Sequence, residues 1–252
     1  MARTARPTKN VTAPRFQRLL LLAALAAAPV LVQEARAQEA GGISAPDISR
    51  CAGKVGVDTR QSDAAFGVIA LDGAPWITIE RTENMVGVQP ITTTVTSTGA
   101  QRRRDGTWVP FRFTCVLDAS DQALMFHVSQ LMPRLGDELP PSIVVSGSAT
   151  VPGKGMLPRG IELRVQLLDV TTSPAGAVLA EQVVRSGWQA PIPFALRLPR
   201  TTPLEGRKLA ISARLVLLHQ VLFTLKEPQP LASDALRRHI DLTLTKAEAT
   251  SH

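Results

Sequence analysis

Apolar and polar residues alternate along much of this chain, and that pattern predicts β-strands with very little helix. The clearest cases are residues 161–167 and 209–217, where every second side chain is Ile, Leu, Val or Ala. Residues 76–81 alternate in the same way, and residues 91–98 are rich in Thr and Val. Such strands have one buried face and one solvent-facing face, as in antiparallel sheets. The pattern therefore predicts an all-β protein.

Two further strands are expected in the N-terminal part, at residues 108–115 and 123–131. Between residues 91–98 and 108–115 lies a polar stretch, 99–106, which predicts the loop of a long hairpin. Upstream of all these strands, residues 45–53 can form one short helical turn, with the Asp47 carboxylate suited to capping its first N–H groups.

A boundary between two domains is predicted near residues 132–142, because Pro133, Pro140 and Pro141 interrupt regular structure there. The part after the boundary contains seven short strands separated by turns, which is typical of a β-sandwich. These strands are expected at 143–152, 161–167, 178–184, 191–198, 209–217, 221–225 and 240–244. The expected fold is two small antiparallel β domains, with the seven-stranded sandwich second.

The first 37 residues are set apart by their composition. A basic head with Arg3 and Lys9 precedes an apolar run at 19–32, and Ala35-Arg36-Ala37 follows as a small-x-small cleavage signal. This order is that of a secretory signal peptide, and 14 apolar residues are too few to cross a bilayer as a helix. We therefore predict a signal peptide at 1–37, an N-terminal β domain at 38–137 and a second domain at 138–252. Cleavage near Ala40 is an alternative.

Removal of the signal changes the charge. The whole chain has a net charge of +7, but six basic residues and one acidic residue lie in 1–37, which leaves a net charge of +2. The high isoelectric point therefore reflects the export signal, and the sequence offers no electrostatic reason for nucleic-acid binding.

The chain has two cysteines, Cys51 and Cys115. In an oxidising compartment such a pair predicts one disulfide, and neither cysteine has neighbouring ligands that would favour a metal site. A lipid-anchoring cysteine stands directly at the signal cleavage point, after a small residue. Cys51 instead follows Arg50 well beyond the predicted cut, so no lipid anchor is expected.

The residues that carry catalysis or cofactors in known motifs are not found. The four histidines lie at 127, 219, 239 and 252, with no metal spacing, and no serine-hydrolase elbow, P-loop or dinucleotide fingerprint occurs. The expectation is a protein without enzyme activity, metal or cofactor.

One dense charge run invites a binding hypothesis. Arg102, Arg103 and Arg104, with Trp108 nearby, could contact phosphate groups of lipid A or of an anionic lipid through paired guanidinium donors. A solvated hairpin tip explains the same residues.

Several short motifs in the second domain occur in a fixed order over about 105 residues. They are VSG at 145–147, VQLLDV at 165–170, AEQ at 180–182, PIPFAL at 191–196 and LFT at 222–224. Together they resemble the YscW/YbaY family of envelope lipoproteins. The resemblance implies a β-sandwich and, for the YscW branch, a pilotin that helps an outer-membrane secretin to assemble. The N-terminal domain resembles no family in this way.

The expected protein is a periplasmic, non-enzymatic interaction protein of a Gram-negative envelope. It is expected to bind an outer-membrane or secretion-system protein through a sheet edge or loop. Two other readings stay open: a hydrolase or modifying enzyme acting on the cell wall, and a passive structural or stress-related envelope protein.

Overall fold

The computed structural model of the chain describes residues 48–54, 66–103, 105–153, 157–158, 160–186, 190–232 and 234–248. The predicted signal peptide and the Asp47 cap lie outside these residues. A helical segment at 48–54 is followed by strands almost throughout, which confirms the predicted all-β class.

Five strands precede residue 131. They are β1 (Phe66–Asp72), β2 (Thr78–Val86), β3 (Gln89–Arg103), β4 (Trp108–Asp118) and β5 (Ala123–Gln130). The prediction of a polar loop at 99–106 is wrong in its first half, because β3 continues to Arg103. It does so because β4 pairs with it on one side and β1 on the other, so that the basic residues there lie within a ladder. The long β3–β4 hairpin is present as expected.

Nine strands follow residue 141 among the described residues. They are β6 (Ser142–Thr150), β7 (Glu162–Asp169), β8 (Ala177–Ser186), β9 (Ile192–Pro199), β10 (Leu209–Leu217), β11 (Gln220–Thr224), β12 (Gln229–Leu231), β13 (Ile240–Thr243) and β14 (Thr245–Lys246). The seven predicted strands correspond to β6–β11 and β13. The two additional strands have only three and two residues.

The strands form two sheets. A large sheet has the order β14-β11-β10-β7-β8-β1-β3-β4-β5, with β12 beside β10 and β2 beside β3, and a small sheet has the order β13-β6-β9. The small sheet covers one face of the β7–β8–β10 region. Leu196 and Leu242 from the small sheet meet Leu163, Val165 and Ile211 from the large sheet in a buried apolar core.

The VSG motif has a packing role in this sandwich. Gly147 lies on β6 between β9 and β13, and a Cβ placed on it would lie 2.2 Å from the Ile240 carbonyl oxygen and 2.4 Å from Cζ of Phe194. Only glycine allows this close approach. The position therefore brings β13 beside β6 and seats the phenyl ring of the PIPFAL motif in the core.

A second core lies on the opposite face of the large sheet. Ile48, Cys51 and Ala52, spaced as one face of a helix, cover Phe111, Phe113 and Cys115 of β4. β1 takes part in both cores: Ala70 points into the first, while Ile69 and Leu71 point into the second. The strands of the C-terminal half bury the face of the large sheet that is directed at the small sheet, and those of the N-terminal half bury the opposite face. At β1 both faces are covered.

β1 also joins the two halves of the chain. It pairs antiparallel with β3 and, over Val68–Asp72, with β8 of the C-terminal half. The sheet is therefore continuous across the predicted boundary. The division into domains at 38–137 and 138–252 stays a prediction.

The disulfide between Cys51 and Cys115 is present, with a Cα–Cα distance of 5.9 Å and a sequence separation of 64 residues. It fastens the helical segment to β4. Replacing both cysteines with alanine is expected to lower the free energy of unfolding by about 4 kcal/mol, because a loop of this length gains chain entropy when the link is absent. Urea unfolding followed by circular dichroism measures the change.

The matched control for this prediction is the unaltered protein in a reducing buffer, which should show the same loss, while the double variant should not respond to reductant. A loss below about 1 kcal/mol in both would contradict the prediction.

Candidate functional site

The first site candidate is a polar cluster buried at the junction of the two halves. At its centre lies the Asp72 carboxylate at the end of β1, which is 2% exposed. It accepts hydrogen bonds from the Thr98 hydroxyl at 2.7 Å and from the Gln182 amide at 2.9 Å, and the Arg197 guanidinium lies 3.3 Å away. Ser97 donates to the Asp72 backbone carbonyl at 2.7 Å. Strands β1, β3, β8 and β9 are thereby connected through side chains.

The ionisation of Asp72 reflects two opposing effects. Burial raises the pKa of its carboxyl above the ordinary value, while the donors Thr98 and Gln182 and the charge of Arg197 lower it. Desolvation is the largest of these effects, so the folded protein holds this proton more tightly than the unfolded chain does. The carboxylate is buried and its partners are side chains of the protein itself, so we assign the cluster a structural role.

Gln182 and Trp76 close the outer edge of β9. The Gln182 side-chain amide donates to the Ala195 carbonyl at 2.9 Å and accepts from the Ala195 N–H at 3.0 Å, as a neighbouring strand would. The Trp76 indole donates to the Arg197 carbonyl at 2.7 Å, and its ring lies 4.9 Å beneath the guanidinium carbon. Pro193, two residues before Ala195 on the same strand, has no N–H to offer. The edge of β9 is thus protected against pairing.

Sequence reasoning missed Asp72, Gln182 and Arg197 as a group, because they are far apart in the chain. Their signal was local: Asp72 ends the apolar run of residues 68–71, and Gln182 lies directly before two buried valines. A polar side chain in such a setting indicates a buried partner.

A second charged cluster lies on the other face of the large sheet. Glu162 of β7 lies 3.7 Å from Arg164 and 4.0 Å from Arg185, which in turn donates to the Ala52 carbonyl of the helical segment at 2.7 Å. Burial raises the pKa of the Glu162 carboxyl, and the charges of Arg185 and Arg164 oppose that rise. The cluster holds the helical segment against the sheet.

The exposed apolar side chains form the most direct candidates for binding. In the C-terminal half, Leu218 and Val221 at the β10–β11 hairpin are 85% and 40% exposed. Leu218 and His219 have positive φ values of 46° and 72°, which turn the hairpin tightly. In the N-terminal half, Met85 and Val88 lie at the β2–β3 hairpin and are 61% and 94% exposed.

The β10–β11 hairpin borders a shallow groove of about 510 Å³. His219 lines one side, the helical segment with Arg50 and Lys54 another, and the β4–β5 turn with Asp121 a third. Arg50 and Asp121 form an ion pair at 3.0 Å. The groove is polar and partly charged, and it brings both halves of the chain to one surface.

The predicted arginine site is only partly assembled. Arg103 is exposed, whereas Arg102 is half-buried and its Nε has no hydrogen-bond partner among the described atoms. Trp108 is the register partner of Arg102 and packs against the C-terminal core, so the indole has a packing role. Arg104 lies outside the described residues. Contact of these residues with phosphate groups stays a prediction.

Within the described ranges, no group of three or more His, Cys, Asp or Glu residues is placed to hold a metal ion. No helix in the same ranges is both long enough and apolar enough to cross a membrane.

The arrangement defines the C-terminal half as a β-sandwich module with a protected edge and an exposed apolar hairpin. Residues 140–244 match the family described as type III secretion system lipoprotein chaperone (YscW). The resemblance predicted from the motifs of this half is therefore confirmed, and those motifs lie on β6–β9 and β11.

Two further comparisons complete the picture. A solved structure of an alternative pilotin from the type II secretion system of Vibrio cholerae has 20% sequence identity, covers 43% of this chain and 100% of its own, and gives a TM-score of 0.39. That similarity is too low to indicate a shared function. None of the curated proteins matches the chain.

The Asp72 cluster leads to a prediction on stability. Replacing Arg197 with methionine keeps the aliphatic bulk but leaves the Asp72 carboxylate buried without its cation, and should lower the free energy of unfolding by about 3–5 kcal/mol at neutral pH. The control is Arg207→Met, which removes the partly exposed Arg207–Asp169 pair at 2.8 Å and should cost about 1 kcal/mol or less. Equal losses in urea unfolding would show that burial of the pair has no special effect.

A second prediction concerns pH. Because the pKa of Asp72 is raised in the folded protein, its contribution to stability is complete below the unfolded pKa and is lost as pH rises through the folded value. The stability of the unaltered protein relative to Asp72→Asn should therefore fall as pH increases from the ordinary aspartate value. Urea unfolding of both proteins over an acid-to-neutral series measures this difference. A relative stability that increases with pH would mean that the donors outweigh desolvation.

Proposed function

We propose that this protein is a pilotin-like or chaperone-like binding protein of a Gram-negative cell envelope, with an outer-membrane or secretion-system protein as its partner. The observation that carries the proposal is the match of residues 140–244 to the YscW lipoprotein chaperone family. The protein acts by binding and has no catalytic step.

The proposed location is the periplasm. The basic, apolar and small-residue segments of 1–37 support export, and a disulfide between Cys51 and Cys115 suits an oxidising compartment. Because both cysteines are bonded to each other, neither has a thiol for a lipid thioether. This protein is therefore proposed to work without a lipid anchor on either cysteine.

The proposed contact surface on the C-terminal half is the β10–β11 hairpin. Leu218, at 85% exposure, and the neighbouring Val221 form an apolar tip on a module that is otherwise well packed. Apolar side chains in such a setting favour contact with a partner protein. The groove beside His219 extends this surface toward the helical segment.

The proposal is tested by a pull-down from solubilised envelopes with the protein spanning residues 38–252, followed by mass spectrometry. The expected result is specific retention of a secretin or another outer-membrane protein, with strong loss in Leu218→Asp. Aspartate tolerates the positive φ at this position, so the variant removes the apolar tip without new backbone strain.

The matched control is Val88→Asp, which places the same charge on the other exposed hairpin and should leave retention unchanged. Recovery of no specific protein, or only of glycan fragments, would contradict the proposed function. Retention that Leu218→Asp does not reduce would move the contact surface elsewhere.

A further inference from the structure

From the large sheet we infer that the outer edge of β5 is a strand-addition site for an extended, uncharged polypeptide segment in which apolar and polar residues alternate. β5 is the last strand of the sheet and pairs only with β4 among the described strands. A register irregularity lies at its start, and the ladder is regular from Met125 to Gln130. This leaves a row of backbone donors and acceptors directed away from β4.

The usual protections of an edge strand are missing here. Natural edges carry lysine, proline or inward-pointing charges that prevent pairing. Residues 122–132 contain neither proline nor Asp, Glu, Lys or Arg, and His127 is the one titratable side chain. The edge of β9, in contrast, is closed by the Gln182 amide, by the Trp76 indole and by Pro193. Among the residues that the structure describes, the edge of β9 is thus protected and that of β5 is open.

The two faces of β5 specify what an added strand must carry. On one face, Phe126 stacks on Phe113 at a centroid distance of 5.1 Å, and Phe126 and Val128 pack at the rim of the second core. On the other face, Met125, His127 and Ser129 are exposed beside the Thr114 row of β4. An added strand therefore places apolar side chains against the rim and polar ones over the open face.

Charge also restricts the occupant. β5 itself has no formal charge, and Arg112 beside it is already paired with Asp137, so a neutral strand pairs with β5 without leaving an ion unpaired. A charge directed at the rim of the second core would be desolvated without a partner. Exposed apolar side chains lie on β5 and beyond it, with Met125 48% exposed, Met132 56% and Leu135 79%, and the ion pair of Arg112 and Asp137 lies beside Ser129. Flexible methionines at a surface adapt to side chains of different shape.

Segments of this kind are the membrane strands of outer-membrane proteins before they insert, since such strands alternate apolar and polar residues. This choice of partner class rests on the proposed function. The strand-addition site itself does not, because it is argued from β5 alone.

The test uses the protein spanning residues 38–252 and a fluorescent ten-residue peptide of alternating Val and Thr. N-methyl groups on alternate residues leave the peptide only one hydrogen-bonding edge, which prevents its self-assembly. Fluorescence anisotropy should show saturable binding. Met125→Lys should weaken it by about tenfold or more, because a lysine on an edge strand disfavours pairing with an added strand. Met85→Lys, the same change on the β2–β3 hairpin, should leave binding unchanged.

Two peptide controls complete the design. A peptide with the same composition in a Val block and a Thr block, and a peptide N-methylated on both edges, should each fail to bind. Binding that is equal in Met125→Lys, or equal for the block peptide, would overturn the inference. So would a Met125-dependent dimer, seen by analytical ultracentrifugation, that excludes the peptide, since a second copy would then occupy β5.

The outcome separates this inference from the proposed function. If the alternating peptide fails to bind while the unaltered protein still retains envelope proteins, the β5 site fails and the binding function stands. If the peptide binds at β5 but no envelope protein is retained, the site stands and its proposed partner class is wrong.

Discussion

The burial of one carboxylate determines how the two halves of this molecule are held together. Asp72 is stable inside the protein only while Thr98, Gln182 and Arg197 surround it, and these residues come from three other strands in both halves of the chain. An unpaired charge in that place would cost several kcal/mol. The cluster therefore fixes the position of β9 against β1 and so the distance between the two sheets.

The sequence predicted those parts of the fold that depend on local patterns. β7 and β10 were predictable because each buries one face, and alternation records that burial directly. β1 was not predicted, because Ala70 points into one core while Ile69 and Leu71 point into the other, so that the strand is apolar without alternation. The sequence predicts a loop at the end of β3 because arginines there suggest exposure to solvent, whereas in the structure two neighbouring strands pair with it.

The candidate sites were less accessible to sequence reasoning than the fold. Arg102 and Trp108 stood out by composition, but the structure uses Trp108 in packing. The protected edge at β9 depends on an amide and a backbone 13 residues apart, and the open edge at β5 depends on which strand ends the sheet. No single segment of the sequence predicts either the protected edge or the open one. Both follow from topology, which short-range patterns do not specify.

The place of β1 between β3 and β8 has a consequence for the order in which the chain folds. Gln182 of β8 is 110 residues after Asp72 of β1 in the sequence. β1 is therefore synthesised long before β8, the second strand that pairs with it. During synthesis, the N-terminal half must wait with one side of β1 unpaired. Contacts of such long range also close slowly. The first half of this protein therefore remains an incomplete sheet until β8 has been made and pairs with β1.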